Sequence, residues 1–444
     1  GFSLYEDENV RSAQFNQVGS YFQARGEEVV KSFYMSGNLK LDDFMGLNSI
    51  RFATGFRNES TELSYDIIDN ASAEPPSTSV VGSNVSPTVV VPSRIDQEDS
   101  LGYFAIILEP FENFKIHLSR STTIAKPTFR EIAPFPIFNL ADRSFEMGNP
   151  GLVLRAPGQA DDFLNGTGDF AGVPIDDPSL SDKFVLPPAF AGLDIAEVAS
   201  EDIRFEYFTP LDGMISVGYF TKDVAAPIER VYAYTAGGVD VNTFINNDND
   251  AKVEGYEFEI QQNLGVLKEL EFLENSIVSD MPWEWITIGG NYTLIDAEVV
   301  RSSFEQQGLT NGRFSGQLTG SGDQFQDGGV YGTRSLYNQP EYVANAYISF
   351  DIERTGTTLT LSQNWTGQQL DRAGTIASGL TGVADLYGDE FTSISLVFEQ
   401  EITDHIKLKF AVKNLNSPIR EMFEDHTFYR ALFDDTVRSE TNGS

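Results

Sequence analysis

Arg120, Lys126 and Arg130 place three cations in one short stretch, with Phe129 among them and Phe135 and Phe138 close behind. Guanidinium and ammonium groups beside aromatic rings suit an anionic, partly apolar solute, held by charge-assisted hydrogen bonds and ring contacts. The same residues also suit a salt-bridge network at the rim of a wall. A second set of cations is spaced differently. In "IKLKFAVKNL" (406–415), Ile406, Leu408, Phe410 and Val412 share one parity while Lys407, Lys409 and Lys413 share the other. Arg57 stands likewise against Phe52 and Phe56, and Glu257 against Phe258 and Ile260. Such alternation gives one apolar and one charged face on a strand. The charged face must be wet, so Lys407, Lys409, Lys413, Arg57 and Glu257 are expected to face a water-filled interior.

No arrangement of residues suggests catalysis. The histidines His117, His405 and His426 are scattered without ligand spacing and read as wall or turn residues. "GTGDFAG" (166–172) has glycines but no strand-to-helix setting for a phosphate loop. "NNDND" (246–250) and "GQADD" (158–162) have oxygen ligands but lack EF-hand spacing, so they read as solvated loops. "GNP" (148–150) reads as a turn that closes a loop. With no cysteine, thiol chemistry, disulfides and Cys-based metal sites are excluded. The expectation is therefore a protein that is not an enzyme, with no metal site and no cofactor.

These residues sit in a chain of 444 residues with 66 acidic and 30 basic side chains, a formal charge of −36. That balance excludes nucleic acid as a partner, since phosphate neutralisation needs Lys and Arg. No apolar run reaches the roughly 18 to 20 residues of a membrane helix. The mean hydropathy of −0.23 would suit a soluble protein, but alternating strands also average to neutral hydropathy.

Period-2 segments recur along the whole length: 32–41, 49–59, 102–109, 114–121, 203–208, 214–222, 253–262, 286–295, 343–352, 358–366, 392–401 and 406–415, besides the opening stretch. They predict an all-β chain of about twelve antiparallel strands with no long amphipathic helix. Short links such as "EPFEN", "TPLDG" and "ERTG" alternate with long loops near 61–99, 123–200, 223–251, 297–341 and 367–390. An outer-membrane barrel has this asymmetry between its rims. A strand of ~10 residues rises about 33 Å and, tilted ~40°, crosses an apolar band of about 25 Å. A soluble two-sheet sandwich is the alternative, with shorter strands and tighter turns.

In order along the chain, "RFATGFRNES" (51–60), "LGYFAIILEPFENFKIHLSRSTTIAKPTFREIAPF" (101–135), "FEMGNPGL" (145–152), "IRFEYFTPLDGMISVGYFTKDVAAPIERV" (203–231), "NDAKVEGYEFEIQQNL" (249–264), "ITIGGNYTLIDAEV" (286–299) and "IKLKFAVKNLNSP" (406–418) resemble the C-terminal barrel of TonB-dependent outer-membrane receptors. The resemblance implies an importer of a scarce solute (siderophore-iron, cobalamin, glycan or similar) in the outer membrane of a Gram-negative bacterium. Its implied partners are outer-membrane lipid and lipopolysaccharide, the solute, and the TonB complex through an N-terminal region that this stretch does not contain. A plugged barrel of this type has about 22 strands, so the chain is expected to be a fragment, an open curved sheet with about nine strands missing before Gly1 and one after Ser444. In that reading 1–444 is one barrel portion, and 32–41 and 406–415 are its edge strands. A passive porin-like or adhesin-like barrel is the alternative function.

Overall fold

The computed structural model describes residues 2–16, 23–68, 94–132, 137–139, 144–146, 148–149, 192–211, 213–236, 239–269, 282–303, 305, 332–373, 375–376, 382–383, 385–403 and 405–425. Thirteen strands follow one another across a single sheet in sequence order. They are β1 (Phe2–Asn16), β2 (Gln23–Phe44), β3 (Leu47–Ile68), β4 (Arg94–Phe111), β5 (Phe114–Ala125), β6 (Ala196–Thr209), β7 (Gly213–Ala225), β8 (Ala251–Asn263), β9 (Ile286–Val300), β10 (Tyr342–Ile352), β11 (Thr357–Thr366), β12 (Phe391–Thr403) and β13 (Ile406–Val412). Each pairs antiparallel with the next, and the short strand Thr333–Ser335 adds to β9. The fold is all-β and antiparallel, and the sheet is open: among the described residues β1 and β13 each pair on one side only.

Alternate links fall at opposite ends of the strands. The β2–β3, β4–β5, β6–β7, β10–β11 and β12–β13 links are short and define a turn rim. The β3–β4, β5–β6, β7–β8, β9–β10 and β11–β12 links are long and define a loop rim. Tight turns require backbone that few residues adopt. Asn113 between β4 and β5 has φ 68°, and Gly356 between β10 and β11 has φ 62°, the left-handed region that Asn and Gly enter most easily.

Because facing residues in an antiparallel ladder share a side, the register carries each face across the sheet. Phe258 on β8 lies opposite Val217 on β7, which lies opposite Phe205 on β6, then Ile116, Leu108 and Ile50. Phe52, Phe56, Ile260, Leu408, Phe410 and Val412 belong to that apolar face, while Arg57, Glu257, Lys407 and Lys409 lie on the other. Many of these apolar side chains stay exposed, 43% at Phe258 and 62% at Phe410, while Phe52, Ile116 and Val412 are half-buried. On β9 the apolar face runs from Ile286 to Leu294, then meets Asp296 and Glu298. That stretch, tilted as in a barrel, crosses roughly 20 Å, close to the height of an apolar band.

Three expectations need correction. The strand at 32–41 is not an edge: β2 is flanked by β3 and by β1, the acid-bearing opening stretch, and β1 takes the edge. β13 is an edge among the described residues, paired to β12. Strands also run well past the apolar band, so residues 61–68 and 94–99, expected within a loop, are paired continuations of β3 and β4. The mostly polar sequence there keeps the ladder, with Leu63 and Ile95 the buried apolar residues. Finally, parts of the long links are themselves β-structure. Ile228–Ala236, Val239–Asn246, Ser144–Glu146 and Ile137–Asn139 form a four-stranded sheet; Gln369–Arg372 and Asp385–Gly388 form a three-stranded one with Met422–Asp425, which follows β13.

Candidate functional site

The chain leaving β5 turns back over the polar face of the sheet, which identifies that face as the inner one. Lys126 makes an ion pair with Glu59 on β3 and lies 3.7 Å from Glu28 on β2. Phe129 then lies over Gly26 of β2, where a Cβ would collide with its ring. Glycine is needed there for close approach. Phe129 packs with Ile132, Leu63, Ile95, Leu193 and Ile195 into an apolar cluster. This cluster is a core of its own, set on the loop-rim end of β3 and β4. Arg130 extends from it toward the small sheet, donating from Nε to Glu146 Oε1 at 3.0 Å and from Nη2 to the Glu146 carbonyl at 2.6 Å. Arg230 reaches the other oxygen of the same carboxylate at 2.8 Å.

Next to this sheet the long links are joined by a buried ionic network. Arg334 donates both Nη groups to the two carboxylate oxygens of Glu229, at 2.9 and 2.7 Å, and Nε to Glu305 at 3.1 Å. Asn247 Nδ2 donates to Glu229 at 2.8 Å and to the Val300 carbonyl at 2.9 Å. The Arg334 guanidinium stacks 4.4 Å from the centre of the Tyr337 ring. Arg301 lies 3.5 Å from Glu305 and 3.8 Å from Asp385. Arg334 and Glu229 each keep only 2% of their side-chain exposure, so their charges depend on one another for solvation. Burial raises the Glu229 carboxyl above its ordinary range, against the pull of Arg334. Burial also pushes Glu305 upward, but Arg334 and Arg301 together hold it below the ordinary range. Burial likewise raises the Tyr337 hydroxyl, which stays protonated. The network ties the β7–β8, β9–β10 and β11–β12 links into one cap.

Below the cap, the inner face of the wall carries ions in rows. His117 on β5 lies opposite Arg204 on β6, Gly218 on β7 and Glu257 on β8; the next row holds Lys115, Glu206, Ser216 and Glu259. Arg204 joins the rows by pairing with Glu259 and with Glu206 at 3.2 Å, and His117 Nε2 lies 3.0 Å from Glu206. At the far edge Lys407 pairs with Glu399 at 3.0 Å, and Lys409 pairs with the same carboxylate at 2.7 Å. Arg57 pairs with Glu59. Lys413 lies just beyond β13 and is exposed.

The cations singled out in sequence therefore do not form one group. Lys126, Phe129 and Arg130 come together under the cap. Arg120 lies on the opposite face of β5 from His117, exposed and 3.3 Å from Glu201. Phe135 and residues 158–162 and 166–172 lie outside the described residues, as does His426. Phe138 is described by its backbone, which pairs with Phe145. Residues 246–250 act as a hydrogen-bonded stitch. Asn246 donates to the Ala226 carbonyl, Asn249 to the Arg301 carbonyl, and Asp248 accepts from Ser303. Asn149 of "GNP" is buried and donates to the Phe244 carbonyl at 2.8 Å, so its role is to close a loop. Sequence reading missed Glu229, Arg334, Glu305 and Arg301. Their only sequence signal is a charge at the end of a polar loop, and many exposed residues share it.

The arrangement is a wall with a wet inner face, an apolar outer face, and a cap built from the long links of one rim. Comparison with known proteins agrees with that description. A family model described as "TonB dependent receptor-like, beta-barrel" matches residues 2–415. Among solved structures, the ferric-catecholate import receptor Fiu from K12 E. coli (closed form) is similar at 13% identity, covering 89% of this chain and 41% of that one, with a TM-score of 0.47. The ferric yersiniabactin uptake receptor FyuA from Yersinia pestis is similar at 11% identity, over 95% of this chain and 49% of that one, TM-score 0.48. The siderophore receptor PiuA from Acinetobacter baumannii is similar at 10% identity, over 95% and 54%, TM-score 0.43. The chain thus spans about half the length of these receptors or less. A search of curated proteins finds no match. With a family model matched along nearly its whole length, the chain belongs to the TonB-dependent receptor β-barrel family.

Proposed function

We propose that this chain is the wall of an outer-membrane receptor that imports a scarce solute with energy supplied through TonB. The observation that carries this reading is the match over residues 2–415, on a sheet with one continuous apolar face. The apolar face meets lipid, and lipopolysaccharide surrounds the strand ends above it, where Glu254, Asp296 and Glu298 follow the apolar rows. The loop rim faces outside and the turn rim the periplasm, as in other barrels of a Gram-negative outer membrane. The polar inner face surrounds a plug carried by another part of the receptor, through which the TonB complex acts.

The solute is gathered at the cap. Lys126, Phe129, Arg130, Phe135 and Phe138 are its proposed contacts, and Arg120 is assigned to the outer rim, given its position on the other face. Two guanidinium groups, Arg130 and Arg230, converge on Glu146. An anionic group on the solute would compete with that carboxylate, which favours an anionic, partly apolar cargo over a neutral one at this entrance.

The test is uptake by the full-length receptor in cells deprived of nutrients, with labelled iron–siderophores, cobalamin and glycans as the panel. Deleting the receptor should abolish uptake of one of these, and so should collapsing the proton gradient that drives TonB. Uptake that survives loss of the gradient would replace this reading with a passive porin-like barrel. Within the import reading, Arg130→Ala should weaken binding at the surface, while Arg120→Ala should leave it unchanged.

A further inference from the structure

The inner face of the wall is divided by charge. The rows across β5–β8 hold the ions described above. Across β9–β12 the same rows continue without a formal charge. Asn291, Asn345, Asn364 and Ser393 face one another in one row. In the next, Gly289 faces Tyr347, which faces Ser362. Charge returns only toward the turn rim, where Asp351 faces Thr358 and Thr358 faces Glu399. Four strands at ~4.8 Å spacing make this panel roughly 15–20 Å wide.

The panel is also flush. A Cβ at Gly289 would collide with the Tyr347 ring, and the Tyr347 hydroxyl donates to Gln261 Oε1 on β8 at 3.0 Å. The tyrosine therefore lies across β9 along the wall rather than standing into the lumen, and Gly289 is what lets it do so. Apart from Phe391 at the loop-rim end of β12, the other side chains in the panel are short, and some bond to each other. Asn345 Nδ2 donates to Asn291 Oδ1 at 2.8 Å, and the Ser349 and Thr360 hydroxyls lie 2.9 Å apart. An amide or hydroxyl so engaged keeps donor or acceptor capacity for a passing group.

We infer that this uncharged, flush panel of β9–β12 is the lane along which the solute crosses the lumen, and that the solute presents uncharged hydroxyl or amide groups to it in transit. The inference rests on the import reading above and adds a route to it. Transit needs contacts that are many and weak, favourable enough to enter and easy to leave. Neutral hydrogen bonds are roughly half as strong as those to ions, so a solute moves along amides and hydroxyls but is held by the charged rows of β5–β8. Those rows suit a stationary neighbour instead. A cargo anion, gripped at the cap, would travel facing away from the panel.

The experiment uses the full-length receptor in cells, with any other cysteine replaced; the present chain contributes none. Single cysteines are placed at Ser362, in the panel, and at Ser119, on the inner face of β5 opposite Asp202. Both serines are half-buried. The probe is an uncharged, hydrophilic maleimide in the medium, and labelling is normalised to that of denatured protein. Energised cells should label Ser362→Cys severalfold faster than Ser119→Cys. Gly289→Ala should slow labelling at Ser362→Cys by turning Tyr347 into the lumen, and adding Tyr347→Ser should restore it. Gly218→Ala is the control. It lies in the charged rows, and its Cβ would meet nothing nearer than 3.5 Å, so it should change nothing. Equal labelling at the two serines, or no effect of Gly289→Ala, would overturn the lane. Fast labelling at Ser362→Cys that ignores energisation would keep the lane and count against TonB-driven import.

Discussion

The wall and the cap handle charge in opposite ways. In the wall, ions stand on a wet inner face, as with Lys407, 54% exposed beside Glu399. They pair across strands whose positions are already fixed by the backbone ladder. In the cap, Arg334 and Glu229 are withdrawn from water almost completely. There the paired ions, with Asn247 and Tyr337, hold together links that share no continuous ladder. A wall ion pair decorates a structure that alternation and register have built. The cap network is part of what builds the structure: with the buried Val231, Ile245 and Leu370, it closes links that the ladder of the wall does not join. Charge removal should therefore be tolerated in the wall and costly in the cap.

The largest effect is expected at Arg334. Arg334→Met leaves Glu229 and Glu305 buried without their shared cation, which costs about 3–5 kcal/mol. The β7–β8, β9–β10 and β11–β12 links should gain protease sites and lose hydrogen-exchange protection together, while the strands below keep theirs. Combining Arg334→Met with Glu229→Gln should recover part of the loss, since one orphaned charge is gone. Selective opening of one link alone would show that the network does not join them.

The wall should fail in a different way. If its apolar face meets lipid, Phe258→Arg at mid-height costs about 2–4 kcal/mol. Glu257→Arg, one residue away on the wet face, should cost far less. Denaturant titration of the receptor refolded into lipid bilayers measures both. Similar losses at the two positions would mean that the faces are not lipid and water.

This contrast also explains what could be read from the sequence. Register in the wall follows from residues that alternate locally, so the strand containing Phe258 and Ile260, or Leu408 and Phe410, is legible with its faces assigned. Strand ends are less legible. Above the apolar band the outer alternation gives way to mostly polar residues, broken by Leu63 and Ile95 on the inner side, and Thr61 to Ser64 or Asp96 to Asp99 read as loop although the ladder continues through them. Edge order is also hidden, because the pairing of β1 with β2 joins residues that alternation alone does not match. The cap is the least legible. Arg334 and Glu229 are 105 residues apart, and nothing in the local pattern of either shows that burial awaits it. Lys126, Phe129 and Arg130 are legible as a group because they sit close together in sequence; the same proximity suggests Arg120, which strand parity places on the other face.

Acid should separate the regions next. Glu305 is held below the ordinary carboxylate range by two guanidinium groups, so its contribution to the cap is present above that range and lost as pH falls through its lowered value. Glu229 is raised by burial, so its ionised form opposes closure, and taking up a proton in mild acid relieves that cost. The two signs offset each other. The cap should stay closed through mild acidification and open only once pH falls below the ordinary carboxylate range. Hydrogen exchange in the links at stepped pH tests this, and opening that begins in mild acid would contradict it.

The smallest effect is expected where the wall carries its most conspicuous charges. Lys407 and Lys409 share one carboxylate, Glu399, at 3.0 and 2.7 Å, on the edge strand β13. Short distances suggest strength, but Lys409 keeps 64% of its side-chain exposure and Lys407 54%. Ion pairs this exposed gain little over solvation by water and cost side-chain entropy, so each is worth about 0–1 kcal/mol. Either lysine can also replace the other at Glu399. Lys409→Ala should leave stability in bilayers nearly unchanged, and the double variant Lys407→Ala/Lys409→Ala should show a small loss that vanishes in high salt. Lys409→Leu sharpens the comparison: an apolar side chain facing a wet lumen should also be tolerated, whereas Leu408→Lys, its mirror on the other face, should not. A large, salt-insensitive loss from Lys409→Ala alone would mean that the inner face at β13 is dry, and the wall would then follow the rule of the cap.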